Sequence, residues 1–351
     1  MADETPPGPA ESGPIMCEGR RLGERRFEVA EGIWRMPIPT GYSAGDVNLY
    51  WLDGEDPILI DTGVLGDASF DHLCRALESG GRRVEDVRTL LLTHSHVDHA
   101  ANAWRIREAS GCDVRVRRRA VRRLSDVEAA SEADVPGIVA FLGRCGFSEE
   151  TVRQFGWFIQ RMRRISHSCP GVAGIDDGDV VVGGGGRSIR VHARPGHSSS
   201  DLVYEVVGTG ILVTGDHVLP TITPNPTLEG PEPGDAEPYR ALPSFRDSLR
   251  RTMAMECTLA CPGHEVPFTG LGDRCRTLLA LQDRRMRDVL RILSENGPMT
   301  QKQISLALFG RVQAFEIFLT LSEVRGAIDL LAMEGRVTID RSGPADLIAA
   351  A

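Results

Sequence analysis

Val87-Arg88-Thr89-Leu90-Leu91-Leu92-Thr93-His94-Ser95-His96-Val97-Asp98-His99 places four candidate metal ligands, His94, His96, Asp98 and His99, within six residues directly behind an apolar run. The run is too short for an ordinary helix and rich enough in leucine to be an interior strand. The ligands therefore stand at a strand's carboxyl end. Neutral imidazoles and an ionised carboxylate suit a borderline cation such as Zn²⁺, at about 2.0–2.2 Å from each donor atom. Two histidines one residue apart can face one ion from a tight turn, and the Asp98-His99 pair can turn toward a second.

Further along the chain the same arrangement recurs. His197 lies in Pro195-Gly196-His197-Ser198 after the alternating strand Ile189–Ala193, and Asp216 lies in Thr214-Gly215-Asp216-His217 after Ile211-Leu212-Val213. His264 lies in Cys261-Pro262-Gly263-His264-Glu265 after Thr258-Leu259-Ala260. A glycine introduces each of the three, which lets the chain bend sharply and aim the next side chain into a pocket. Five of nine histidines thus share one pattern of strand, turn and ligand. His72, His167 and His192 stand outside it and read as structural or solvated residues. Upstream, Leu59-Ile60-Asp61-Thr62-Gly63 closes a short apolar strand. Asp61 could serve that turn alone.

The order His94-x-His96-x-Asp98-His99, His197, Asp216, His264, preceded by the Asp61 turn, resembles the metallo-β-lactamase superfamily from about residue 30 to 270. The resemblance implies an α/β fold, an αββα sandwich with a two-metal site at one edge of the packed sheets. It also implies a ligand set: His94, His96 and His197 for one Zn²⁺, Asp98, His99 and His264 for the other, and Asp216 between them. Iron or manganese would suit the same donors. An aspartate at 216, where the antibiotic-destroying enzymes commonly carry cysteine, is similar to the glyoxalase II, lactonase and RNase Z branch. The implied nucleophile is a bridging hydroxide oriented by Asp98, since divalent cations bring the pKa of bound water toward ~7. Asp61 is expected to accept from a ligand histidine, and His217 to support the ligands or touch substrate.

Composition is consistent with two domains and a large core: 351 residues, 41% of them hydrophobic. A net charge of −9 opposes non-specific attraction to nucleic acid. No apolar stretch of membrane-spanning length occurs, and the N-terminus lacks the basic start and apolar segment of a secretory signal. Eight scattered cysteines without Cys-x-x-Cys pairs read as reduced thiols of a cytoplasmic protein. Cys257 and Cys261, although close to His264 in sequence, are surplus to a site already supplied with ligands. Residues 1–26, rich in Pro, Gly and Glu, are expected to form a disordered tail.

The expected catalytic domain covers 27–275, with strands near 33–38, 47–52 and 57–61, and helices near 67–79 and 99–109. From about 119 to 170 the β pattern lapses into a helical insertion punctuated by Val135-Pro136-Gly137 and by Gly143-Arg144-Cys145-Gly146, with a helix start at Ser148-Glu149-Glu150. Trp157, Phe158 and Met162 either wall a substrate pocket or pack the insertion onto the body. Arg115, Arg117, Arg118, Arg119, Arg122 and Arg123, with Arg161, Arg163 and Arg164, either grip an anionic substrate or form a solvated face. The run Gly183–Gly186 is a hairpin turn, since it lacks the lysine of a phosphate loop. Residues 281–341 resemble a winged-helix appendage of three helices and a small wing. Its would-be recognition helix, Ser322–Asp329, is as acidic as it is basic, so no DNA is expected.

These residues point to a hydrolase of a small ester, thioester or lactone, with a small-molecule substrate, no membrane partner, and self-association left open. A phosphodiesterase or endoribonuclease acting on RNA uses the same metals. So does hydrolytic displacement of an alkoxide from an activated aromatic ether. An iron redox enzyme shares much of the motif, and a DNA-binding regulator with a vestigial front domain would not need the intact ligand set.

Overall fold

Val47-Asn48-Leu49-Tyr50-Trp51-Leu52 is buried along its whole length because it has apolar layers on both faces: alternate residues serve two different cores. The computed structural model describes residues 14–23, 25–164, 167–230, 232, 235, 239–312 and 316–351. Strands β1 (Ile15–Met16), β2 (Arg20–Gly23), β3 (Arg26–Ala30), β4 (Ile33–Ile38), β5 (Val47–Leu52) and β6 (Ile58–Ile60) precede helix α1 (Asp67–Glu78). Then come β7 (Thr89–Leu91), α2 (Val97–Ala100), α3 (Ala103–Ser110), β8 (Asp113–Arg117), α4 (Val121–Ser125), α5 (Val127–Arg144) and α6 (Glu149–Arg164). β9 (Ala173–Ile175), β10 (Val180–Gly183), β11 (Arg187–Ala193), β12 (Leu202–Val206) and β13 (Ile211–Gly215) lead to α7 (Ala241–Met253), β14 (Leu259–Pro262) and β15 (Phe268–Thr269). α8 (Leu271–Asn296), α9 (Gln301–Phe309), α10 (Glu316–Met333), β16 (Val337–Asp340) and β17 (Leu347–Ala350) complete the chain.

Two sheets pack face to face. One runs β2-β3-β4-β5-β6-β7-β8-β9 and the other β1-β15-β14-β13-β12-β11-β10. Between them lie Tyr50, Leu52, Ile60 and Leu91 from the first sheet against Val191, Tyr204 and Val213 from the second. The first sheet's outer face packs on α1 and α3 through Trp34, Trp51, Leu73 and Ile106. The second sheet's outer face packs on α7 and α8 through Leu212, Phe245, Leu249 and Leu278. Helices thus cover both outer faces of an αββα sandwich, and each fully buried aliphatic or Phe side chain contributes about 1.5–3 kcal/mol of burial free energy.

Several sequence expectations are corrected. Residues 1–13 of the expected tail lie outside the described residues, but Ile15-Met16 pairs with Thr269-Phe268, and Arg20–Gly23 pairs with β3. The apolar Ile15 and Met16 sit among Pro and Gly, so composition hid an edge strand. Pro136-Gly137 does not punctuate the insertion, because α5 runs through it from 127 to 144. A mid-helix proline costs about 3 kcal/mol, and packing offsets it: Val139 and Leu142 join Val152 and Phe155 of α6 and Leu321 of α10 in one apolar cluster. The α5–α6 part of the insertion therefore packs on α10, while Ala120, Leu124 and Cys169 at its two ends pack into the body's core. Trp157 is 64% exposed, while the side chains of Phe158, Met162, Arg161, Arg163 and Arg164 lie outside the described set. Gly184, Gly185 and Gly186 form the expected hairpin turn between β10 and β11, all at positive φ.

The C-terminal segment holds three helices and a two-stranded sheet around Val289, Ile304, Val324, Leu331 and Ile348. Among the described residues no helix is long and apolar enough to cross a membrane.

Candidate metal centre

Seven side chains from five chain segments meet where strands of the two sheets end. β7 delivers His94 and His96, and α2 carries Asp98 and His99. His197 follows β11, Asp216 follows β13, and His264 follows β14. β13 and β14 run parallel, so Asp216 and His264 emerge side by side. The turn is closed by Gly263 N–H donating to the Gly215 carbonyl at 2.8 Å. Tyr204 Oη donates to the Leu92 carbonyl at 2.6 Å and ties the sheets together beneath the ligands.

The donor atoms fall into groups that share members. His94, His96 and His197 form one, Asp98, His99 and His264 a second, and His94, His99 and Asp216 a third, all within 4.8 Å. His94 Nε2 and His197 Nε2 lie 3.0 and 2.9 Å from His96 Nδ1. His264 Nε2 lies 3.3 Å from Asp98 Oδ2 and 3.5 Å from Asp216 Oδ2. Asp216 reaches both sides, with Oδ1 at 3.5 Å from His99 Nε2 and Oδ2 at 3.7 Å from His197 Nε2.

The other ring nitrogens fix four of the five imidazoles. His197 Nδ1 donates to the Asn225 carbonyl at 2.9 Å, and His264 Nδ1 to the Asp46 carbonyl at 2.9 Å. His99 Nδ1 donates to Asp61 Oδ2 at 2.8 Å. Thr93 Oγ1 donates to the same carboxylate at 2.8 Å and so accepts from His94 Nδ1 at 3.0 Å. In these four rings Nδ1 carries the proton, leaving the Nε2 lone pair for the centre. Asp61 holds a left-handed backbone, φ 65°. Strain of about 1–3 kcal/mol persists where surroundings over-determine it, and here three hydrogen bonds converge on its carboxylate.

Electrostatics divides the set. Burial, reinforced by neighbouring imidazoles, pushes His94 well below its ordinary pKa, and burial also lowers His96 and His197. Burial would lower His99 too, but Asp216, Asp61 and Asp98 outweigh it and raise it well above. His264 is likewise raised against burial, by Asp98 and Asp216. Asp98 is held at about 2 despite burial, chiefly by His99 and His264. The carboxylates thus favour positive charge on the His99–His264 side, while burial keeps His94, His96 and His197 neutral.

Divalent cations fit these residues. His99 Nε2 and Asp216 Oδ1 are buried without a hydrogen-bond partner, an arrangement that needs a reason in a native interior. Tetrahedral coordination at ~2.05 Å puts donors roughly 3.3 Å apart, close to the separations above. His94, His96 and His197 could hold one cation, Asp98, His99 and His264 another, and Asp216 could contact both.

Other expectations resolve differently. His217 points into the α7 packing, with Nε2 against Thr252 Oγ1 at 2.8 Å and its ring 5.6 Å from that of Phe245. Burial pushes its pKa down to about 3, and the hydrogen bond it makes goes to Thr252 rather than to one of the seven candidate ligands. Cys257 and Cys261 belong to no donor group among the described residues, and burial pushes the Cys261 thiol up. His192 pairs with Glu205 at 2.8 Å and His167 stacks on Trp104. Asn225, Asp46 and Thr93 were missed. The first two act through main-chain carbonyls, which leave no trace in residue type.

Replacing Asp61 with Asn keeps the shape but swaps an acceptor for a donor opposite His99 Nδ1. The expected result is a roughly 10–100-fold loss of metal affinity with the fold retained, measured by titration against a chromophoric chelator. Wild-type affinity would show that Asp61 only closes its turn.

A four-layer αββα sandwich with a His/Asp cluster at the strand ends defines a metallo-hydrolase architecture. The sequence profile of the metallo-β-lactamase superfamily matches residues 42–264, and the chain belongs to that family. It is 28% identical over 316 residues to "Probable metallo-hydrolase YqjP" of Bacillus subtilis (strain 168), covering 88% of this chain and 94% of that protein. It is also 28% identical over 159 residues to the atrochrysone carboxyl ACP thioesterase of Aspergillus fumigatus, covering 42% of this chain and 46% of that one. A metallo-β-lactamase family protein from Thermus thermophilus superposes with TM-score 0.78 at 26% identity, over 92% of this chain and 100% of its own. The chain is thus a metallo-hydrolase by family.

Proposed function

We propose that this chain is a two-zinc hydrolase that cleaves small acyl esters or thioesters. The observation that carries this reading is the pair of three-donor groups flanking one shared carboxylate, Asp216. Two divalent cations held there would lower the pKa of water toward ~7 and polarise the scissile carbonyl. Asp98 would orient the bound water or hydroxide. Its side chain is 16% exposed, against 0% for His99 and 1% for His264, so water reaches it first. The pairing Nδ1 partners keep the imidazoles from rotating out of line during turnover.

The arginines argue for an acyl rather than a phosphoryl substrate. Arg119 pairs with Asp235, Arg122 and Arg123 pair with Glu232 and Asp134, and Arg115 pairs with Asp113. Arg117 donates to the Ser199 carbonyl and lies 3.5 Å from Asp176. These five guanidinium groups, already matched to carboxylates or a carbonyl, are poorly placed to grip a phosphodiester; Arg118, which is exposed, is not among them. The partial likeness to a thioesterase points the same way.

The C-terminal helices act as a winged-helix-like appendage that supports the catalytic domain instead of reading DNA. Ser322, Val324 and Gly326 of α10 are buried, and Arg325 and Glu323 are engaged by Asp329 and Arg285.

Assays of zinc-loaded protein on p-nitrophenyl acetate, acyl-CoA and single-stranded RNA test the assignment. Turnover of an acyl substrate, abolished by chelation and restored by zinc, is expected. Cleavage of the RNA with inert acyl substrates would reverse the assignment.

A further inference from the structure

We infer that α10 of the C-terminal segment is part of the metal centre's scaffold: through Asn225 and Ser322 it positions the ligand His197. The inference rests on the two-cation reading above and adds a positioning role for residues outside the sandwich.

The segment after β13 has no regular secondary structure from 223 to 230, so neighbours must hold its backbone. Its inner side is bound to the His197 turn. The Asn225 carbonyl accepts from His197 Nδ1 at 2.9 Å, Thr227 N–H donates to the His197 carbonyl at 3.0 Å, and Thr227 Oγ1 donates to that same carbonyl. Two residues on, Ser199 N–H donates to Glu229 Oε1 at 2.6 Å. His197 is therefore aimed by this segment, not by β11 alone.

The outer side of the segment is bound to α10. Asn225 Nδ2 donates to the Leu319 carbonyl at 2.8 Å. Leu228 N–H approaches Ser322 Oγ at 3.4 Å, and Ser322 Oγ donates to the Phe318 carbonyl at 2.8 Å. A Cβ on Gly326 would stand 2.8 Å from Leu242 Cβ and 3.5 Å from Pro226 Cγ, so the backbones are in close approach. Leu319, Ser322 and Gly326 are spaced by three and four residues, which puts them on one face of a helix. That single face meets positions 225, 226 and 228 in turn.

α10 is itself anchored, not dangling. Gln301 Nε2 donates to the Leu321 carbonyl at 2.9 Å, and Leu321 is buried in the apolar cluster of the insertion. A path of direct contacts thus runs from α10 through Asn225 to the His197 ring. Partners that orient a ligand imidazole typically change metal affinity by about 10–100-fold when removed.

The test uses full-length Asn225→Ala and Ser322→Ala with the wild type. Metal-free protein is titrated with Co²⁺, followed by its visible absorption, and with Zn²⁺ by calorimetry. Thermal melts of the metal-free forms check folding. Expected are two ions in the wild type and, in each variant, one ion bound as in wild type with the other weakened roughly 10–100-fold and an altered Co²⁺ spectrum. Ser322→Thr, which keeps the hydroxyl, should restore the affinity. Two ions bound with wild-type affinity and spectrum in both variants overturns the inference while leaving the two-cation reading intact. A wild type that binds fewer than two ions overturns that reading, and this one with it. If Ser322→Ala melts early, Asn225→Ala, a change at a half-buried position outside any helix or strand, decides alone.

Discussion

Asp216→Ala should lose most of its bound metal and at least about 10³-fold in turnover, the largest single effect expected in this protein. Among the described residues Asp216 is the one carboxylate with ion-pair contacts to both donor groups, at 3.5 Å from His99 and from His264 and 3.7 Å from His197. Alanine leaves His99 Nε2 with only the more distant Asp98, at 4.0 Å, as an anionic neighbour and removes the charge between the two donor groups. Cations acting as Lewis acids contribute several kcal/mol to a transition state, and about 1.4 kcal/mol corresponds to tenfold in rate. Losing one such contribution therefore costs about three decades or more. Bound metal also stabilises the folded state by mass action, by about 2.7 kcal/mol at a hundredfold excess over Kd. The rise in Tm expected on adding zinc to the wild type should consequently shrink or vanish in the variant. Metal analysis, melting curves and turnover measured together are the check, and wild-type turnover in Asp216→Ala would remove the centre as drawn.

Gly263→Ala, one methyl group, should be nearly as damaging. A Cβ at 263 would lie 2.2 Å from Asp216 Oδ1, 2.7 Å from His99 Cε1 and 3.1 Å from the Gly215 carbonyl carbon. Real Cβ atoms do not make the first two contacts and rarely make the third, so the aspartate, the imidazole or the turn must move. All three belong to the cluster. Overpacking a tight interior costs about 1–3 kcal/mol, but here the displacement falls on ligand geometry, so affinity should fall further than stability. Gly137→Ala is the control, because a Cβ there meets nothing within 4 Å, and alanine in a helix interior is favoured by roughly 0.5–1 kcal/mol. Zinc titration and melting of both variants separate the cases: equal affinity in the two would mean the turn yields without disturbing the ligands.

Much of this was legible in the sequence because the ligands are local to strand ends. His94 to His99 announce themselves by spacing, and His197, Asp216 and His264 by a glycine after an apolar run. The strands Ile33–Ile38 and Val47–Leu52 follow from short runs of mainly apolar residues, and both are buried throughout. What stayed hidden depends on contacts distant in sequence. Ile15-Met16 is a strand only because Phe268-Thr269 offers it an edge, and Pro136 is tolerated only because α6 and α10 pack beside α5. The arginines of the insertion could not be told from an anion grip until Glu232 and Asp235, more than a hundred residues away, came within reach. His217 follows a candidate ligand yet faces the opposite way, since the turn at Gly215 sends successive side chains to different sides.

α8 begins at Leu271 against the second sheet and ends at Asn296 within the C-terminal core, without interruption. Leu278 serves one core and Met286, Val289 and Leu293 the other. A continuous rod shared in this way leaves no seam at which the tail could be snipped off cleanly. Trimming back to the sandwich would strip an oily stripe bare, and such a fragment invites clumping. Melting of either half should drag the other along, so the appendage behaves as a keel to the hull rather than as detachable cargo.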